Sequence, residues 1–180
     1  MGDPTRVRLG PGKLKIAPLG TTEPATLSAA WNVAWTDIGY TEEGHAFTVS
    51  PSFDPIPVAE ELMPLMYSAT NQEMRVEFAM AEMGAKNLSI ALNGGTITTG
   101  TGIVTFTPPA IGSEVRTMLG WESLDAKERW IFRKCLQTGD VEFARRKAPD
   151  KTTIPVSFML EIVAGGGAPF AAIFDSTLLS

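Results

Sequence analysis

Proline and glycine punctuate this chain closely and leave few stretches in which a long helix could form. Thirteen prolines and seventeen glycines are spread over 180 residues, and a proline inside a helix removes a hydrogen bond at a cost of about 3 kcal/mol. Between the breaks, several runs have a period of two. His45-Ala-Phe47-Thr-Val49-Ser50 alternates, Arg75-Val76-Glu77-Phe78-Ala79-Met80 alternates, and Ile154, Val156, Phe158, Leu160 and Ile162 share one side of a late run opposite Ser157, Met159 and Glu161. Alternation of this kind is the mark of half-buried strands. One short segment has helical spacing instead: Ala85, Leu88 and Leu92 recur at three and four residues until Asn93-Gly94-Gly95 stops them, which predicts a short helix laid on a sheet.

Further turn signals at Gly100, Gly102, Pro108-Pro109, Gly112, Gly120 and Gly139 separate short runs at 103–106, 115–119 and 130–136. Residues 171–174 are a last strand or a docked tail. The expected fold is mainly β, an antiparallel β-sandwich or barrel with one short α-helix. Residues 1–30 hold Pro4, Pro11, Pro18 and Pro24 with Gly10, Gly12 and Gly20, lack sustained periodicity and read as an extended N-terminal arm rather than a core element. A single β domain then spans 31–180. It opens on the aromatic anchor Trp31 and Trp35 and the turns at Gly39 and Gly44, and Pro51 ends its first strand.

Residues 51–74 place Pro51, Pro55, Pro57 and Pro64 among Phe53, Ile56, Val58, Leu62, Met63, Leu65 and Met66. That is too much proline for a long helix and too much apolar surface for a free loop. The segment either folds back on its own core or covers a neighbouring subunit, and the adaptable thioethers of Met63, Met66 and Met74 favour the second.

The net charge of −5 argues against a protein that grips nucleic acid phosphates. Its distribution is uneven: residues 37–82 hold nine acids against one base, Arg75, while 129–151 hold seven bases against three acids and 1–15 hold four against one. Intramolecular pairing on a solvated surface accounts for this asymmetry, and so does head-to-tail association of copies.

Reactive groups are few. His45 is the only histidine and Cys135 the only cysteine, too few for a zinc site or an internal disulfide; His45 reads as a surface polar residue and Cys135 as a buried thiol within a strand. Gly100-Thr-Gly102 lacks the third glycine of a dinucleotide loop. Adjacent acids such as Glu42-Glu43 and Glu60-Glu61 point to opposite faces of a strand, which an acid–base pair cannot use. No catalytic, cofactor or metal site is expected. Without a membrane span or a signal peptide in the sequence, the product is expected to stay in the cytosol.

Taken in order, the arm, Gly39 with Thr41, Glu43 and Gly44 before the Phe47 strand, Glu82 followed by Asn87-Leu88, and the late Ile154-Pro155-Val156 strand resemble the major tail tube subunits of long-tailed bacteriophages, including those of actinobacterial type. The similarity spans residues 31–163. The resemblance implies a structural virion protein whose hexameric rings join their inner sheets into one β-barrel and stack into a hollow tail tube for double-stranded DNA. It also implies partners (further copies, the tape measure protein, the tail terminator and distal tail proteins), no membrane, and assembly in the host cytoplasm. By position the inter-ring loop is 51–74, with Phe53, Ile56, Leu62, Met63, Leu65 and Met66 as contact residues, and the arm is a second bridge between rings. The family's lumen is acidic, and Glu77 and Glu161, opposite the apolar faces of their strands, are the lumen candidates. Two other readings stand beside this one: a single-ring tail terminator or neck protein, and a small-ligand barrel built around Trp121 and Trp130.

Overall fold

The computed structural model describes residues 10, 12–145, 147–148 and 150–178. In chain order the elements are β1 (Gly12–Pro18), β2 (Thr36–Asp37), β3 (Thr41–Ile56), β4 (Met66–Met80), α1 (Ala85–Ala91), β5 (Thr96–Gly100), β6 (Ile103–Thr107), β7 (Thr117–Ser123), β8 (Glu128–Gln137), β9 (Ile154–Leu160) and β10 (Phe170–Phe174). Eight strands form one sheet in the order β2-β1-β7-β8-β9-β4-β3, with β10 added on β8, while β5 and β6 make a separate hairpin. Every pairing is antiparallel. The mainly β, antiparallel architecture with one short α-helix is the one the sequence pattern predicts.

Strand β8 is the pivot. One of its edges is taken by β7 from Arg129 to Cys135, so β10, against residues 128–132, and β9, against 135–137, divide the other edge between them. The sheet bends at this strand and folds back on itself. As a result the Phe47 ring of β3 lies 5.0 Å from Phe132 of β8 and 5.0 Å from Phe170 of β10. Between the two layers lie Leu14, Ile16, Val76, Phe78, Met80, Leu119, Phe132, Ile154, Val156 and Phe158. The alternating residues of β4 and β9 thus form the core, each buried side chain contributing about 1.5–3 kcal/mol.

A smaller apolar cluster occupies the back of β1, β7 and β8, where Trp35 covers Ala17, Met118 and Ile131 and Trp31 packs alongside. Gly120 makes that contact possible: a Cβ there would lie 2.7 Å from the Trp31 ring. Buried Arg129 holds the loop down. It donates to Glu122 Oε1 at 2.6 and 2.8 Å and to the carbonyls of Thr26 and Ala29, while Trp31 Nε1 donates to Glu122 Oε2.

Helix α1 is short and lacks a side-chain N-cap, so it depends on what it packs against. At its far end Asn93, with a φ of +55°, donates through Nδ2 to the Gln137 carbonyl and accepts the Gln137 N–H at Oδ1, at 2.7 and 2.9 Å. The amide imitates a strand partner and ties the helix end to β8.

Three expectations are corrected. Residues 12–18, counted with the extended arm outside the β domain, form β1 in the interior of the sheet, with Leu14, Ile16 and Ala17 buried; residues 1–9 lie outside the described residues. Pro51 does not end its strand, because β3 is an edge strand whose outer side needs no donors, and Pro51 and Pro55 sit there without breaking the ladder. Ile162 does not share the core face of β9, which stops at Leu160, and its side chain is exposed.

Candidate functional site

The β3–β4 hairpin leaves the body of the fold. Strand β4 pairs with β9 only from Arg75 to Met80; beyond that point, from Val49–Met74 to Ile56–Met66, the two strands pair only with each other. At about 3.4 Å per residue, the eight residues of β3 in this part carry the ribbon roughly 27 Å outward. Segment 51–74 is therefore not an irregular loop but a strand pair with a short connection.

The ribbon has two different faces. Val49, Pro51, Phe53 and Pro55 continue the side of β3 that carries Phe47, and they pair with Met74, Gln72, Ala69 and Tyr67. A register shift after Ser52 skips Thr70 and keeps the pairs on their side. The opposite side is Ser50, Ser52 and Asp54 with Glu73, Asn71 and Ser68, and Ile56–Met66 closes its far end. An apolar stripe thus runs out of the core into solvent. All six expected contact residues, Phe53, Ile56, Leu62, Met63, Leu65 and Met66, are exposed, and Leu62 at the tip is completely so. Sequence reasoning missed Val49 and Tyr67 on the same stripe; the alternation that reaches Val49 was the available signal.

The outer face of β3, β4 and β9 is built differently. Around Glu77 it presents the small side chains of Ala46, Thr48, Ala79, Pro155 and Ser157, with Arg75 and Met159 on one side of them. Glu77 accepts from Ser157 Oγ at 3.1 Å and lies 3.7 Å from Arg75. Glu161 sits elsewhere, one residue past β9, between Lys134 at 2.9 Å and Arg116 at 3.4 Å. The hydrogen bond from Lys134, reinforced by Arg116, holds its carboxyl below the usual range. The structure does not bring the two acids together, and two cations offset the charge of Glu161.

His45 is not a free surface residue: it is half-buried, with its ring 5.0 Å from Trp121, and burial lowers its pKa, opposed by the charge of Glu128. Burial pushes the Cys135 thiol up to about 12, leaving it protonated and unreactive. Among the described residues no three His, Cys, Asp or Glu side chains gather as metal ligands.

Glu82, with Gly39 and Asn87, explains one of the sequence patterns quoted above. Its Oε1 accepts the Tyr40 N–H at 2.9 Å, and Asn87 Nδ2 donates to its carbonyl. Gly39 has a φ of +102°, and a Cβ there would fall 2.5 Å from the Glu82 carboxylate. The pattern is a clasp that joins the start of β3 to α1. A model of the phage tail tube protein family matches residues 3–164. The chain belongs to that family. No curated protein matches it. As a phage tail tube protein it is a structural component of the virion tail, and its family assembles into a tube with other tail components. Natural sheets either blunt an open edge like that of β3 or use it to recruit another chain.

Proposed function

We propose that this tail tube protein forms hexameric rings whose sheets join through open strand edges into one barrel, and that the β3–β4 ribbon of each subunit reaches the neighbouring ring. The observation that carries this reading is the apolar stripe that continues the core face of the sheet into solvent from Val49 to Tyr67. A two-stranded ribbon is marginal in water by itself. Burying one of its large apolar side chains contributes about 1.5–3 kcal/mol, against about 4–15 kcal/mol for bringing two bodies together. Several anchors must therefore act at once, and six equivalent contacts per ring multiply the gain.

The small-residue face around Glu77 is our candidate for the channel wall, because short side chains and a negative charge let a polyanion slide without adhering. Glu161 suits that role less well, since two cations, Lys134 and Arg116, offset it, whereas Glu77 has the more distant Arg75 alone. Double-stranded DNA passes through the channel, the tape measure protein fills it earlier, and the terminator and distal tail proteins close the two ends. Assembly takes place in the host cytoplasm. Electron microscopy of the purified chain at high concentration tests the proposal: hollow tubes with six-fold rings are expected, and a strict monomer or a single ring that never stacks overturns it. Replacing 51–74 by a two-residue turn should abolish stacking while the sheet still folds.

A further inference from the structure

We propose that the ribbon tip of one copy seats in a hollow between α1 and the β5–β6 hairpin of a second copy. The inference rests on the reading of the ribbon as the contact between rings and adds the surface that receives it. The tip presents Leu62 and Met63 next to Glu60 and Glu61. Its apolar residues are exposed, and neither acid has an ion-pair partner among the described residues. A bare pair of carboxylates beside bare apolar side chains calls for a receptor with an apolar floor and a cationic rim.

One hollow has that composition. Its volume is about 530 Å³, its wall is made by Met83, Leu88, Val104, Phe106 and Phe143, and Arg145 stands at its edge. Arg145 is exposed and is not engaged in any ion pair among the described residues. The other hollows are poor matches. The two larger ones share Glu42 and Glu43, with Glu77 and Asp140 beside Arg75 in one and Asp37 and Glu82 beside Lys13 in the other, so acids outnumber bases four to one in each and repel the tip. A smaller one, about 270 Å³, has no charged residue in its wall. Sign and polarity together select the α1 hollow. Because the tip of a given chain stands clear in solvent, it does not fill its own hollow, so the occupant is a neighbour and the contact joins two unlike surfaces.

Disulfide trapping tests this directly in the full chain. Leu62→Cys combined with Phe143→Cys should give a ladder of covalent multimers on a non-reducing gel after mild oxidation, while the parent chain, whose only thiol is buried, gives none. Arg145→Glu and the pair Glu60→Lys, Glu61→Lys should each raise the concentration at which polymer appears by at least about tenfold, the step expected for about 1.4 kcal/mol. Combining the three changes should restore most of that loss. Tubes that form without a ladder, or an Arg145→Glu chain that polymerises like the parent, overturn the proposal. A chain in which 51–74 is replaced by Asn-Gly separates the two levels. If it still stacks, the ribbon is not the contact and the underlying reading falls; if stacking is lost but no ladder forms, the ribbon reading stands and this receptor is wrong.

Discussion

Gly120 has room for a hydrogen and nothing larger, because the rings of Trp31 and Trp35 lie against its Cα. Gly120→Ala should lift both indoles off the back of the sheet and cost about 1–3 kcal/mol, visible as a lower urea midpoint and a red-shifted tryptophan emission. His45 makes a prediction of opposite origin. Its pKa lies below the ordinary 6.5 because it is half-buried against Trp121, so the unfolded chain binds the proton more readily. Stability is then full above 6.5 and falls as the pH drops through 6.5 toward the folded value. Urea midpoints at about pH 7.5 and about pH 5.5 should differ, and His45→Gln should shrink that difference. A midpoint that rises on acidification would contradict the burial of this ring.

Among the elements, legibility followed locality. Helix α1 and the buried ends of β4 and β9 were readable because Leu88, Val76, Phe78, Val156 and Phe158 repeat at the right intervals within a few residues. The ribbon was not, because whether a proline breaks a strand depends on whether that strand lies at an edge, and edge position is a property of the whole sheet. Strand β1 was hidden by the prolines and glycines on both sides, although Lys13-Leu14-Lys15-Ile16 alternates and was the signal to follow. The clasp of Glu82 on Gly39 could be quoted as a pattern but not explained, since its partners lie 42 residues apart at Tyr40. The ribbon also carries a prediction at this scale. In the unassembled chain the amides of residues 66–74 should exchange with solvent within the fastest class, while those of β8 and β9 stay protected, and assembly should slow the ribbon amides by orders of magnitude. Equal protection in both states would mean that the ribbon is not where subunits meet.

For the whole molecule, the acids and bases that the sequence separates are partly reunited by folding: Glu42 meets Lys151 and Asp37 meets Lys15, while other bases are taken by Glu161, which meets Lys134 and Arg116, and by Glu23, which meets Arg133. Glu60 and Glu61 are left at one extremity and Arg145 beside α1. The face around Glu77 gives a prediction about cargo. Glu77→Lys should leave tube formation intact but make the tubes retain DNA at low salt, with retention lost as salt rises, whereas parent tubes retain none. Retention by the parent would remove Glu77 from the channel wall.

The ribbon projects from one end of the bent sheet, and among the described residues the separate β5–β6 hairpin is shorter and does not duplicate it. A polymer built from such units has a head and a tail that differ chemically, so elongation and termination are separate recognition events, and a cap shaped for one extremity is useless at the other.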